Sequence, residues 1–283
     1  MAELRDASPH PWNDGFTWRD HDGPGRTLSA EQRAAFDADG FIVVHDVFDA
    51  DTLAAVDAEL APMVERVNEL LRGVDGGRIS VAAADRLGVC PHAVVLSEVL
   101  RRFVASSPFT DVCADLVGDD VRLYWDQAVY KYPANDEPVL WHQDNGYTYV
   151  EPQDYLTCWV PLVDATLDNG CVWVLPGVHR LGTLAHREDR LGFTCLPEGT
   201  DGAVAVPCPA GSMVVFSSLT PHRTGPNHTD AMRPAYIVQY LADGAVALGG
   251  DPATTSAADA VRTPLDDPTR QFPVLVGGVT ASA

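Results

Sequence analysis

Residues 121–144 read VRLYWDQAVYKYPANDEPVLWHQD. The β-branched and aromatic content of the first twelve marks a long strand. Pro133-Ala134-Asn135 is a turn signal, and VLWHQD (139–144) is a second, shorter strand. Side chains at i and i+2 of a strand share a face. Trp125, Gln127, Val129 and Lys131 therefore lie on one side of the first strand. On the second, His142 and Asp144 converge while Gln143 points away. If both faces look into one barrel, Gln127 and Lys131 are donors beside whatever His142 and Asp144 hold. The alternative for Lys131 is a strand-end lysine that snorkels to water.

Working outward, more strands follow: YLTCWVPL (155–162), CVWVLP (171–176), AVAV (203–206), SMVVFS (212–217) and AYIVQYL (235–241). Turn signals at Asp168-Asn169-Gly170, Pro209-Ala210-Gly211 and Gly225-Pro226-Asn227 separate them. Upstream the pattern is helical. Ser29 with Gln32 forms a capping box for a helix over 29–38 that Gly40 ends. FIVVH (41–45) is a short buried strand. Asp49 or Asp51 then opens a helix to about Leu71, with Leu53, Val56, Leu60, Met63 and Val67 at helical spacing. Residues 75–92 read as loop and 93–118 as helix. The expected organisation is one domain over 1–283: an irregular arm (1–28), a mainly helical part (29–118), a jelly-roll core (119–245) and a tail that is mostly loop (246–283). The fold class is mainly β with flanking helices, a cupin-like double-stranded β-helix whose helices stiffen one wall.

Composition narrows the function. The chain has 283 residues, 46% of them hydrophobic, enough for one large core. Its 40 acidic and 19 basic residues give a net charge of −21, which repels polyanions and argues against nucleic acid as a partner. No apolar run is long enough to span a membrane, and the opening MAELRDASPHPWND lacks the apolar stretch of a signal peptide. The six cysteines never form C-x-x-C, which fits reduced thiols in a cytoplasmic protein. The oligomeric state is not legible.

His142 and Asp144 are two thirds of the 2-His-1-carboxylate facial triad, which covers one face of Fe(II) and leaves the other for O2 and an oxoacid. Alone the motif is weak: with nine histidines, about one H-x-D is expected by chance. His228-Thr229-Asp230 is such a decoy, and His186-Arg187-Glu188 is an H-x-E. The odds change downstream. The strand SMVVFS runs into His222, and eleven residues later Arg233 opens AYIVQYL. An arginine directed into a barrel needs an anion, and its fork matches a carboxylate such as the distal one of 2-oxoglutarate.

The stretches DQAVYKYP, WHQDNGY, LTCWVPLVDATLDNGCVWVLPGVHR and PHRTGPNHTDAMRPAY resemble the phytanoyl-CoA dioxygenase family of iron(II)/2-oxoglutarate oxygenases, and LSAEQRAAFDADGFIVVHDVFDADTL resembles its opening helix and strand. The resemblance covers roughly residues 29–241. It implies a double-stranded β-helix, His142, Asp144 and His222 as iron ligands, and Arg233 and Thr224 on the distal carboxylate. It also implies Trp159 as a pocket wall and Gln127 beside the iron and cosubstrate. His179, Arg180 and His186 follow the PGVHR turn near the barrel mouth and are candidates for substrate contact, as is Lys131. The implied reaction is oxidation of a C–H bond in a small molecule, with release of succinate and CO2. Halogenases of this chemistry have a small residue in place of the carboxylate ligand; Asp144 argues against chlorination. The segment that marks ectoine hydroxylases after the first histidine is missing. Richness in Ala, Asp, Val and Arg suggests a GC-rich bacterial genome, where such enzymes tailor small metabolites. Two rivals are a cupin-like metal enzyme without an oxoacid, which leaves Arg233 without a role, and a non-catalytic binding protein, which an intact triad disfavours.

Overall fold

The computed structural model describes residues 7–281. Helix α1 (Ala30–Asp39) begins with the capping box: the Gln32 amide donates to the Ser29 side chain, and the Gln32 side chain accepts from the Ser29 amide. It ends at Gly40, whose φ of 82° suits a residue without Cβ. Strand β1 (Phe41–Val44) follows, then α2 (Ala50–Arg72), capped by Asp49 and not Asp51. The buried stripe of α2 runs through Leu53, Val56, Leu60, Val64 and Leu71, so Val64 takes the place expected for Met63.

Residues 75–92 are not the loop that was expected. They form β2 (Arg78–Ile79), β3 (Ala82–Ala83) and β4 (Leu87–Pro91), because β4 finds a long free edge to pair with. The helix expected over 93–118 is divided into α3 (Glu98–Val104) and α4 (Ser107–Leu116). Pro108 in the first turn of α4 has no N–H with which to continue an earlier helix.

Eleven further strands build the barrel: β5 (Val121–Lys131), β6 (Val139–His142), β7 (Val150–Glu151), β8 (Leu156–Pro161), β9 (Val172–Val174), β10 (Arg187–Asp189), β11 (Gly192–Thr194), β12 (Val204–Val206), β13 (Met213–Ser217), β14 (His222–Thr224) and β15 (Arg233–Ala242). The tail also carries strands where loop was expected: β16 (Val246–Gly249), β17 (Val261–Pro264), β18 (Pro273–Val276) and β19 (Val279–Thr280). Of these, β18 extends the ladder at the start of β5 and β16 pairs with β7.

The major sheet has the order β1-β13-β8-β15-β5-β4-β3-β2, and a four-stranded sheet, β12-β9-β14-β6, makes the other wall. This is the expected antiparallel jelly roll. The outer face of the major sheet carries Ala128, Tyr130, Val160, Val215 and Val238, which share one core with Val56, Leu60 and Val64 of α2 and with Leu100 and Phe109 of the next two helices. Each such fully buried apolar side chain contributes about 1.5–3 kcal/mol. Between the sheets a second core (Val172, Val174, Val206, Val214, Ala235) closes one end, and the other end is left open. Among the described residues no helix is long and apolar enough to cross a membrane. All six cysteines are buried and free.

Candidate active site

The ladder of β6 stops at His142, but Gln143 keeps extended angles (φ −107°, ψ 143°) and Asp144 opens a single 3-10 turn. The two-residue alternation therefore runs one step past the sheet. Gln143 points away and clamps two loops, donating to the Gly182 and Leu219 carbonyls and accepting from the Leu184 amide. His142 and Asp144 share the opposite side. His222, first residue of β14, sits directly across the ladder from His142, with ring centroids 4.1 Å apart. The Nε2 atoms of His142 and His222 lie 4.0 and 3.8 Å from Asp144 Oδ1, and the three possible ligand atoms are all within 4.8 Å of one another.

Each imidazole is oriented by its other nitrogen. His142 Nδ1 donates to the Leu140 carbonyl (2.7 Å) and His222 Nδ1 to the Thr220 carbonyl (3.0 Å). This fixes the tautomer that leaves both Nε2 lone pairs facing Asp144. Burial, and then the nearby His222, hold the His142 pKa well below the usual range, so the ring is neutral. Asp144 is oriented in turn: the Thr157 hydroxyl donates to Oδ2 at 2.6 Å, and Gln239 Nε2 donates to Thr157 Oγ1 at 3.4 Å.

Arg233 is fully buried at the start of β15, and Nε and both terminal nitrogens have no hydrogen-bond partner. Its guanidinium carbon is 5.3 Å from the Trp159 ring centroid. Burial pulls its pKa down to about 10. The Thr224 hydroxyl is also buried and unpartnered. Ladder register puts Arg233 on the face of β15 shared with Ile237 and Gln239, which line a cavity of about 580 Å³. His142, Asp144, His222, Thr224, Gln127 and Trp159 line the same cavity.

Four other expected residues lie elsewhere. Lys131 pairs across the ladder with Arg233 and is completely buried, so it does not snorkel; its Nζ donates to the Glu137 carbonyl at 3.3 Å, and it is not part of the cavity wall. Burial first, then Arg233, push its pKa well down. His179 and Arg180 do not face the mouth. Gly177 turns the chain through a left-handed step so that His179 packs edge-on against Trp18, and both residues bond the Asp37 carbonyl at the end of α1. His186 is held by backbone at both nitrogens: Nε2 accepts from the Gln143 amide and Nδ1 donates to the Leu184 carbonyl. Only a glycine at 146 admits it, since a Cβ there would lie 2.0 Å from the ring. The decoy His228 is exposed beside Asp136.

Sequence reasoning missed Thr157, Gln239 and Tyr147. Alternation was the available signal for two of them: Thr157 shares a face with Trp159, and Gln239 shares one with Arg233. Tyr147 packs edge-on against His142 from a turn that has no periodic signature.

A family model described as phytanoyl-CoA dioxygenase (PhyH) matches residues 36–235. The chain belongs to the PhyH family. Its relatives include phytanoyl-CoA dioxygenase of Arabidopsis thaliana, 27% identical over 59% of this chain and 61% of that protein. Phytanoyl-CoA dioxygenase domain-containing protein 1 of Mus musculus is 25% identical over 76% of this chain and 90% of its own length. The match thus spans less than two thirds of the plant protein and nearly all of the mouse one. Among solved structures, the α-ketoglutarate-dependent carbocyclase SnoK from nogalamycin biosynthesis superposes with a TM-score of 0.63 at 23% identity, covering 86% of this PhyH chain and 98% of SnoK. EctD from S. alaskensis gives 0.62 at 24% identity, covering 85% of each chain. These two likenesses place the PhyH chain in the jelly-roll fold of such oxygenases.

Proposed function

We propose that the protein is an iron(II)- and 2-oxoglutarate-dependent oxygenase that oxidises a C–H bond of a small molecule. The observation that carries the reading is the pairing of two groups that each need an absent partner. One is the His142–Asp144–His222 cluster, with both Nε2 lone pairs turned inward. The other is Arg233, buried with three unpartnered nitrogens beside the unpartnered Thr224 hydroxyl. Two imidazoles and one carboxylate suit iron(II) with open positions. A bare buried guanidinium costs several kcal/mol, and a carboxylate relieves that cost through a bidentate pair.

His142, Asp144 and His222 would hold the metal, and Arg233 with Thr224 the distal carboxylate of 2-oxoglutarate. Lys131, opposite Arg233, is held by the Glu137 carbonyl and packs beside that guanidinium. Trp159 walls the oxoacid site, and Gln127 offers an amide beside it. Thr157 keeps Asp144 Oδ2 occupied, so that Oδ1 faces the metal position. When bound, iron and oxoacid together supply the reduction of O2 that yields succinate, CO2 and the oxidised substrate. Asp144 would fill the position a halide needs, which argues against halogenation; hydroxylation, desaturation, epoxidation and ring formation all fit the site. SnoN, a structural relative, has been crystallised with Fe3+ and α-ketoglutarate, which supports the same loading here. A cupin-like enzyme without an oxoacid would leave Arg233 unexplained. Buried free thiols support a cytoplasmic setting.

The test is anaerobic titration of the iron-loaded protein with 2-oxoglutarate, followed by succinate analysis on admission of air. Saturable binding at one per chain is expected. Iron-loaded protein that never binds 2-oxoglutarate would sink the reading.

A further inference from the structure

Taking the site as read above, we propose that the substrate is a neutral, largely apolar molecule with a planar ring face and oxygen acceptors, and not a thioester of a nucleotide carrier or a phosphonate. Four observations point this way. First, one cavity of about 580 Å³, within the range of small-molecule sites, has to take the oxoacid and the substrate together. Second, no lysine or arginine is found among the described residues that line it, and its one carboxylate, Asp144, faces the metal position. Arg233 lies behind the wall and would serve the oxoacid, and Lys131 beside it bonds the Glu137 carbonyl.

Third, the walls beyond the metal position are aromatic and aliphatic. Trp125, Tyr124, Tyr147 and Tyr155 offer ring faces, and Val89 and Ile237 fill between them. Each of the three tyrosines carries a phenol hydroxyl whose proton can be donated to a carbonyl or ether oxygen. Fourth, the apolar lining continues to the surface. Val67 of α2 and Ile79 and Val81 of the β2–β3 hairpin form the lip, with Leu71 buried beneath it, and Ile79 is 59% exposed. The basic residues Arg78, Arg86 and Arg190 are not in the lining; they converge on Glu137.

With Arg233 taken by the oxoacid, a second anion would lose its hydration and find no lysine or arginine in the lining, a cost of several kcal/mol. The chain's net charge of −21 adds long-range repulsion. A neutral ring system gains instead, since aromatic faces contribute beyond their buried area.

The test is a fluorescence titration of the full chain, with iron and 2-oxoglutarate under nitrogen, using Nile red and 1-hydroxyanthraquinone as neutral planar probes. One saturable site per chain is expected. Ile79→Asp and Trp125→Ala should each weaken probe binding about tenfold or more, the equivalent of about 1.4 kcal/mol, with unchanged circular dichroism. Hexanoyl-CoA and methylphosphonate should not displace the probes. Arg233→Lys separates the two readings: it should weaken 2-oxoglutarate and leave probe affinity unchanged. If neither probe binds saturably, if both variants bind as the wild type does, or if either anion displaces the probes, the substrate class is wrong. Failure to bind 2-oxoglutarate alone overturns the oxygenase reading and leaves the probe result to stand on its own.

Discussion

Thr157 shows how much of the metal centre rests on a residue that touches no metal. Its hydroxyl donates to Asp144 Oδ2 at 2.6 Å and takes a hydrogen bond from Gln239. Thr157→Val keeps the shape but frees the carboxylate to rotate. Iron affinity should fall about 10–100-fold, the usual effect of removing such an outer partner, and competition against a fluorescent chelator measures it. His142→Ala and His222→Ala should lose iron far more completely, whereas His228→Ala should retain it; full occupancy in either of the first two would refute the ligand set. Arg233→Lys keeps a charge but loses the planar fork. Its 2-oxoglutarate affinity should drop about 10–100-fold, as for a charged hydrogen bond, read by the same anaerobic titration. At this scale the sequence was most legible where backbone geometry is simple. His142 and Asp144 follow from strand alternation, and Arg233 from its entry into a strand. His179 and His186 were misjudged because a histidine after a turn has no periodicity to give its direction. Gly177 and Gly146 decide where those rings go, and their effect appears only in three dimensions.

Among the elements, β5 does two things with its two faces. The inner face lines the cavity with Trp125, Gln127 and Val129, and the outer face buries Asp126 against the helices. Asp126 accepts from the Tyr236 hydroxyl and the Val94 amide but has no cation beside it, and burial raises its pKa from 3.8 to about 6. Because the folded protein favours the protonated form, this stabilising contribution is complete below pH of about 3.8 and is lost as pH rises through about 6. The loss is on the order of 3 kcal/mol, from a shift of about two units. Urea unfolding across that window should show Asp126→Asn without this component of the pH dependence; a parallel profile would contradict it. The strands β2 to β4 and the division of 93–118 were not legible, for a related reason. The two-residue strands β2 and β3 carry no alternation of their own and build onto β4, which exists because the edge of β5 offers it backbone partners. Long-range pairing of that kind leaves little trace in local composition.

For the molecule as a whole, the jelly roll was legible from strand content and turn spacing, while substrate choice was not. Strand faces fix the metal and oxoacid groups, but the lip is built by α2 and the β2–β3 hairpin, which lie far from those strands in sequence. Asp144 predicts that turnover in chloride buffer under labelled O2 gives no chlorinated product. Mass spectrometry checks this, and a chlorinated product from the wild type would overturn the oxygenation outcome. The uncompensated Arg233 guanidinium has one further consequence. A fold that carries an unmet charge at its centre is least stable when empty, so occupancy and folding are thermodynamically linked. A ligand at a hundredfold excess over its Kd adds about 2.7 kcal/mol to the unfolding free energy. 2-Oxoglutarate should therefore raise the melting temperature by several degrees even in metal-free protein, and the Arg233→Met variant should lose that response. In a cell, the lifetime of this protein against proteolysis would then rise and fall with the supply of the oxoacid, making its abundance a record of central carbon metabolism.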